Sequence, residues 1–436
     1  TKIKLVLSNL NILIISYYWP PSGGSGVQRW MYFAKYLKKL GNNPIVITVN
    51  PKNASYNLID NSLLSQVKDV KTHKTFSFEI LKLYSLLKTG TSSKGIPQSY
   101  IPLNSIFDKI TSFIRVNFFI PDSRIGWNYF AYKKSREIIN NNKIDCVITT
   151  GPPHSSHLIG QKIFNKFHLK WIVDLRDPWS EIFYLKKRFR FNFSRKINER
   201  LESKVLENAN AIITTVGDRY HSIIRSKISE TSKIHQIYNG YDKLIYDKIE
   251  EQKPNKFNIV FTGVLTKNHN YKVFDEVLRR LNSRNLKLKI ILTFAGKIDE
   301  KIKKLYSKKI DFVDKGYVSH DESIRLVKSS HLLININYMD TEDTDMISGK
   351  LIEYLASGSP IINFSNAAYE TELLFKFSLK SFNANNNDIN KVVSFIEKEY
   401  NEWSKGEFKK QIPDNIDSLS RENLTKSLID IINSIK

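Results

Sequence analysis

The stretch Ser348-Gly349-Lys350-Leu351-Ile352-Glu353-Tyr354-Leu355-Ala356-Ser357-Gly358-Ser359-Pro360-Ile361-Ile362 reads as a glycine turn, a short helix, and a return through Gly358 and Pro360 into a strand. It follows an apolar strand at 332–335 and a run of acids. A helix start presents N–H groups without intrahelical partners, and phosphate binds well there. Glu353 stands about one helical turn further in. A carboxylate at that place can take both hydroxyls of a ribose. The segment therefore pairs a phosphate seat with a sugar grip.

Outward from this stretch, short continuous apolar runs alternate with helical segments. One set of strands is expected at 11–16, 44–48, 145–150, 171–175 and 211–215, and a second at 258–262, 288–294, 311–313, 332–335 and 360–363. Runs apolar on both faces argue parallel sheets. Two such series imply an α/β chain with two doubly wound, Rossmann-like domains. The expected domains are 1–240 and 241–415, with a last helix at 416–436 that could pack back on the first. Residues 51–125 break the pattern and read as an inserted set of helices and loops, the expected determinant of acceptor choice. No repeat occurs at solenoid spacing.

At 436 residues the chain is too long for one core, and about two or three domains are expected. No apolar run reaches the roughly 18 residues that span a bilayer. Lys2 and Lys4 followed by the apolar run 10–19 loosely resemble a signal peptide, but Pro20-Pro21 and a glycine turn stand where a cleavage site would be. A buried first strand and a cytoplasmic protein are expected. The single cysteine, Cys146, excludes an internal disulfide and a cysteine zinc site. The net charge of +24 reflects in part a chain rich in Lys, Ile and Asn throughout. It also suits anionic partners: nucleic acid, anionic lipid or phosphorylated substrates.

Several motifs sit where strands end. After the first strand, Gly23, Gly24 and Gly26 fall within four residues, which suits a backbone approaching a ligand before a helix begins. The spacing is not that of the dinucleotide fingerprint. Thr149-Thr150-Gly151-Pro152-Pro153-His154 ends another strand, and either His154 or His157 could donate to a substrate hydroxyl. In Asp174-Leu175-Arg176-Asp177-Pro178-Trp179, Asp177 could accept from a substrate hydroxyl, and Arg176 could hold a phosphate or order the acids. A packed Asp-Arg-Asp cluster has to be satisfied or lie at a surface. Thr262-Gly263 with Lys267, then Gly296, then Gly316-Tyr317, end successive strands of the second series and are expected to line one crevice. Lysine beside a glycine turn suits a diphosphate. The acids Asp340, Glu342, Asp343 and Asp345 read as a solvated loop, not a metal site.

Residues 183–196 interleave aromatic and basic side chains, with Arg188, Phe189, Arg190 and Phe191 at the centre. Three readings fit: an anionic membrane interface or lipid-linked acceptor site, single-stranded nucleic acid, or a half-buried strand or loop.

Taken in order, residues 18–29, 151–157, 174–179, Asn239-Gly240-Tyr241-Asp242, Thr262-Gly263 and 349–360 resemble the family 4 glycosyltransferases of the GT-B fold. Within that family the Gly-Lys-Leu-x-Glu-Tyr-Leu segment resembles the bacterial cell-surface polysaccharide branch. The resemblance implies two Rossmann-like domains facing across a cleft, the C-terminal one binding a nucleotide-sugar donor, UDP- or GDP-linked. It implies transfer with retention and without a metal. Together with the basic aromatic stretch it leads to the expectation of a lipid-linked glycan acceptor, no cofactor, and a place at the inner face of the plasma membrane.

By position, Glu353 would bind the donor ribose, Gly23, Gly24 and Gly26 would lie near the diphosphate, and Lys267 and Lys350 would neutralise it as it leaves. Asn239-Gly240-Tyr241-Asp242 would end the first domain at the hinge. The family often carries two glutamates with seven residues between them; here Asp345 holds the first place. The usual arginine near Gly263 is absent, and His269 and Lys267 are what is available. The competing expectations are a nucleotide-sugar 2-epimerase of the same fold, an inactive scaffold, and a basic nucleic-acid-binding protein. The last lacks any known reading motif.

Overall fold

A computed structural model describes residues 9–56, 58–79, 106–182, 185, 188–284, 289–339, 347–365 and 369–435. The chain divides into two compact units. One comprises Thr1–Tyr238 with Leu424–Lys436, and the other Asn239–Asn423.

The first unit is built on a seven-stranded sheet in the order β3-β2-β1-β4-β5-β6-β7. Its strands are β1 (Asn11–Ile15), β2 (Asn43–Val49), β3 (Lys71–Thr75), β4 (Cys146–Gly151), β5 (Trp171–Leu175), β6 (Ala211–Thr214) and β7 (Ile234–Gln236). Every pairing is parallel. Ile12, Leu13, Ile14 and Ile15 of β1 are all fully buried, as a strand covered on both faces requires. The helices that bear on function are α1 (Ser25–Lys39), α2 (Ile106–Phe118), α3 (Ser155–Phe167) and α4 (Asn192–Asn208). Val27, Trp30, Met31, Ala34 and Leu37 form the buried stripe of α1, at helical spacing.

The second unit repeats the plan with six parallel strands in the order β10-β9-β8-β11-β12-β13. They are β8 (Phe257–Leu265), β9 (Ile290–Ile298), β10 (Asp311–Asp314), β11 (Leu332–Ile336), β12 (Ile361–Phe364) and β13 (Ser381–Ala384). Three short helices matter here: α5 (Lys243–Lys248), α6 (His320–Lys328) and α7 (Lys350–Ala356). Asp242 caps α5, accepting from the N–H groups of Leu244 and Ile245 at 3.1 and 3.4 Å. In each sheet the winding reverses beside the first strand, between β1 and β4 and between β8 and β11. Ligands of open α/β sheets gather at the carboxyl ends of strands at such points.

The ten strands expected from apolar runs are present, and three more appear. β3, β7 and β13 are edge strands, and β3 reads Lys-Thr-His-Lys-Thr. β3 lies inside 51–125, where only helices and loops were expected. An edge strand needs no apolar run, because only one side pairs and its faces are less covered. Gly263 and Gly296, read as strand ends, are interior to β8 and β9 and oppose each other in register. Gly296 has φ +137°, and a Cβ there would lie 1.9 Å from the Gly263 carbonyl oxygen.

Gly296→Ala is expected to destabilise the second unit by about 3 kcal/mol, since backbone and neighbour both resist it. Gly406, with φ +76° but open space around it, should lose only about 1 kcal/mol on the same change. Denaturant unfolding of both variants checks the contrast.

Candidate active site

In the second unit the switch point is organised by the backbone of Thr262, in the carboxyl-terminal half of β8. Its N–H donates to the Tyr354 hydroxyl at 2.8 Å, and its carbonyl accepts from the Lys350 amine at 2.8 Å. Both side chains come from α7, so the helix is stitched to the strand by two bonds. The amine also lies 3.6 Å from the centre of the Phe261 ring and 3.5 Å from where a Gly263 Cβ would be. Gly263 has φ +115°. Lys350 is half-buried, and burial of its amine pushes the pKa down to about 7.

Glu353 lies one turn along. Its Oε1 is 2.8 Å from His320 Nε2 at the start of α6, and 3.9 Å from the Arg421 guanidinium. No described residue hydrogen-bonds Oε2. The Tyr246 hydroxyl donates to the Glu353 backbone carbonyl. Burial works against the charge on Glu353, but His320, by charge and hydrogen bond, and Arg421 outweigh it and hold the carboxyl below its usual range. Reciprocally, burial disfavours the imidazolium of His320, and Glu353 reverses that and raises it. The result is a carboxylate kept charged by one side only.

The other expected residues of this unit fall differently. Gly349 has helical φ −56° and imposes no glycine geometry. The Leu351 N–H is bonded to the Ser348 carbonyl at 3.0 Å, so it is not one of the free donors that the turn was expected to offer. His269 is not a cation. Its Nδ1 accepts from the Thr266 N–H at 3.1 Å, its ring packs 4.0 Å from Tyr338, and burial pushes its pKa to about 4. It staples the loop after β8. Lys267 on that loop is exposed, as is Tyr317 after β10. Gly316, with φ +60°, accepts the Gly296 N–H at 2.7 Å. Asp345 lies outside the described residues.

In the first unit, the loops after β1, β4 and β5 are bound together by Arg176. Its guanidinium donates to the carbonyls of Gly26, Gly151 and Pro152. These bonds order loops, not the acids beside it. Gly23 is a glycine for packing: its N–H bonds the Leu58 carbonyl at 2.9 Å, and a Cβ would meet Leu58 at 2.9 Å. Gly24 differs, with φ +89° and nothing within 4 Å of a Cβ. It is the glycine of the three that leaves open room.

Asp174 is spent inside the fold. It pairs with Arg29 at 2.9 Å and accepts from Trp30 Nε1 at 2.6 Å and Thr150 Oγ1 at 2.8 Å. Asp177 is half-buried; burial pushes its carboxyl up while Arg176 pulls it back. His154 stacks on Trp179, ring centres 5.0 Å apart, and neither ring nitrogen is hydrogen-bonded. His157 Nδ1 is held by Thr149 Oγ1 at 2.8 Å. Burial keeps both imidazoles neutral, pushing His157 to about 3. Both crowd Gly151, where a Cβ would lie 2.5 Å from His157 Nε2 and 2.7 Å from His154 Nδ1.

Residues that sequence reasoning missed include Arg29, Asp122 and His320. Asp122 accepts from the Ser155 N–H at 2.8 Å and so fixes the start of α3. A further buried group joins Arg124 to Glu79 at 2.7 Å, with the Tyr17 hydroxyl donating to Glu79 at 2.7 Å. The contacts that define these roles, Arg29 with Asp174, Asp122 with Ser155, His320 with Glu353 and Arg124 with Glu79, all join residues distant in sequence, so no local spacing could reveal them. Of the basic aromatic stretch, 183, 184, 186 and 187 lie outside the described residues. Phe189 is exposed, while Arg188, Arg190 and Phe191 are half-buried. Among the described residues no group of three or more His, Cys, Asp or Glu could hold a metal ion, and no helix is long and apolar enough to cross a membrane.

No family model matches the chain, and no curated protein matches it in sequence. Solved structures do match in fold over nearly the whole length. HepE of Anabaena, in complex with UDP and glucose, superposes with a TM-score of 0.62 at 10% identity, covering 98% of this chain and 100% of that one. The chain has the GT-B fold. Sucrose-phosphate synthase of Thermosynechococcus elongatus gives 0.61 at 13%, covering 97% and 98%. The N-terminal domain of Candida albicans trehalose-6-phosphate phosphatase gives 0.65 at 13%, covering 100% and 99%. Identities this low leave the chemistry of this GT-B chain to its own residues.

Asp174→Ala is expected to destabilise the first unit by about 3–5 kcal/mol, because the buried Arg29 loses its carboxylate and Trp30 and Thr150 lose their acceptor. Asp177→Ala should change stability by less than about 1 kcal/mol. Chemical unfolding followed by tryptophan fluorescence measures both.

Proposed function

We propose that this chain is a nucleotide-sugar-dependent glycosyltransferase. The observation that carries the reading is the pair Lys350 and Glu353, one turn apart at the switch point of the second sheet. One presents an amine tuned near neutrality beside a glycine backbone, the other a charged carboxylate with one oxygen that no described residue hydrogen-bonds. In this reading Oε2 of Glu353 accepts from the donor ribose hydroxyls while His320 holds Oε1. Lys350 faces the diphosphate. As the glycosidic bond to phosphate breaks, negative charge grows on the leaving diphosphate, and a cation already in place stabilises it without reorganisation. Thr262, Gly263, Gly296 and Gly349 supply the backbone around that group, and Lys267 is the second cation.

HepE, the GT-B neighbour, is described with UDP and with UDP-glucose. Uridine diphosphate is accordingly the first donor group to test. Following the resemblance, transfer proceeds with retention and without a metal, onto a lipid-linked glycan in surface polysaccharide synthesis. His154 and Asp177, with Gly24 beside open space, are assigned to the sugar and acceptor hydroxyls.

Calorimetric titration with UDP and GDP, and hydrolysis or transfer from radiolabelled UDP- and GDP-sugars, test the assignment. Glu353→Ala should weaken nucleotide binding by roughly 1–3 kcal/mol, about five- to 150-fold, the scale of hydrogen bonds lost to a charged group. Binding neither nucleotide would refute the reading.

Lys350 adds a pH test. Its amine titrates near 7 in the fold, against 10.5 for a free lysine, so it loses its charge as pH rises through 7. UDP affinity should therefore fall above pH 7, by up to about tenfold per pH unit. Lys350→Arg, always charged, should flatten the profile to pH 9. An unvarying profile in the unmodified protein would remove Lys350 from the diphosphate.

A further inference from the structure

Glu353 sits on a short helix, and the aim of its carboxylate is set from outside that helix. A glutamate side chain turns about three bonds, and the last has only a broad, two-fold preference. Left to itself, such a carboxylate samples many orientations. Here Oε1 is 2.8 Å from His320 Nε2, and that contact fixes where the opposite oxygen stands. Oε2 takes no hydrogen bond from a described residue and is not one of the enclosed polar atoms left without a partner, so it keeps an open side. The side chains of His320 and Glu353 are 11% and 13% exposed, shielded but still within reach of a ligand.

His320 is itself held by the chain around it. It is the first residue of α6, and Ser319 before it caps that helix, its hydroxyl accepting from the Glu322 N–H at 3.3 Å. Ile324 and Val327 anchor α6 in the interior, and α6 packs against α7. The other groups near the carboxylate act differently. Arg421, at 3.9 Å, stands beyond hydrogen-bond reach and supplies charge without direction. Tyr246 donates to the backbone carbonyl of Glu353, not to its carboxylate. Asp242, whose charge opposes that of Glu353, is engaged in capping α5. Among the described residues, His320 is the one that hydrogen-bonds the Glu353 carboxylate.

We propose that His320 is a positioning residue for the donor's ribose: by holding Oε1 it aims Oε2 of Glu353 at the sugar hydroxyls, and so sets how well the site tells a ribonucleotide from one that lacks them. The inference rests on the donor reading above and adds to it the group that gives the carboxylate its aim. Immobilising a rotamer-rich side chain on binding costs about two- to tenfold in affinity, and a carboxylate already held avoids that cost. His320 also keeps Glu353 ionised against burial, and an ionised acceptor makes the stronger hydrogen bond. A purely structural pair, tying α6 to α7, would affect every ligand of the unit alike. Aim affects the hydroxyls alone.

The test compares UDP with 2′,3′-dideoxy-UDP by calorimetry on the full chain, and the guanosine pair if that is the base bound. Both ligands carry the diphosphate that Lys350 faces, so the ratio of their affinities reports on the hydroxyls. The unmodified protein should prefer UDP by about tenfold or more. His320→Gln carries an amide donor near the place of Nε2 and should keep that ratio within about twofold. His320→Asn carries the same amide one bond shorter, out of reach of Oε1. It should lower the ratio by about three- to tenfold and leave dideoxy-UDP affinity within about twofold. The two amides share charge and polarity and differ in reach, and circular dichroism melting verifies that both fold. Equal ratios in the two variants would overturn the proposal. So would a loss shared equally by both ligands, which assigns the pair to holding α6 on α7. Equal affinities of the unmodified protein for the two ligands would remove Glu353 from the ribose, and failure to bind UDP or GDP would end the donor reading; either result takes this inference with it.

Discussion

The backbone of Thr262 carries the two bonds on which the arrangement of the second unit depends. Its N–H and carbonyl both go to side chains of one short helix, Tyr354 and Lys350. A seven-residue helix has little stability of its own. Tied to the carboxyl-terminal half of β8, it becomes a fixed platform, and Glu353 acquires a defined direction. Gly263, next along β8, is required by its backbone, whose φ of +115° side chains rarely adopt, and not by the Lys350 amine, which a Cβ there would meet at an ordinary contact of 3.5 Å. The glycine opposite it, Gly296, is needed so that the two backbones can approach.

Charges in the two units are used in different ways. In the first, the buried ions are consumed by the fold: Asp174 by Arg29, Trp30 and Thr150, Glu79 by Arg124 and Tyr17, and Arg176 by three carbonyl oxygens. Removing charge from water is costly, and such groups persist where partners saturate them. Glu353 departs from that pattern, since its bonds are concentrated on one oxygen. Lys350 departs too, because burial lowers its pKa and no carboxylate among the described residues restores it. Incomplete satisfaction in a buried place is where a fold makes room for a ligand.

Much of the architecture was legible. Apolar runs such as 11–16 and 332–335 located the central strands, because a strand buried on both faces must be apolar throughout. The edge strands β3, β7 and β13 were not legible, since their formation depends on a neighbour's backbone and not on their own pattern. The platform Gly349–Glu353 was legible as a motif, whereas its supports His320, Arg421 and Tyr246 were not. His269, available beside Lys267 near Gly263, is a neutral staple; Arg176, expected to hold a phosphate or order the acids, donates to loop carbonyls. In each case the residue type was consistent with two roles, and burial decided between them. The basic aromatic stretch was legible as a pattern, but not its division into an exposed Phe189 and half-buried Arg188, Arg190 and Phe191.

By itself the sequence determined two parallel α/β units and where their central strands lie, because local apolar periodicity carries that information along the chain. Tertiary structure alone decided which charges are spent and which remain available. That depends on partners brought together from distant positions, as with Glu353 and His320, 33 residues apart, and on how completely water is excluded around them.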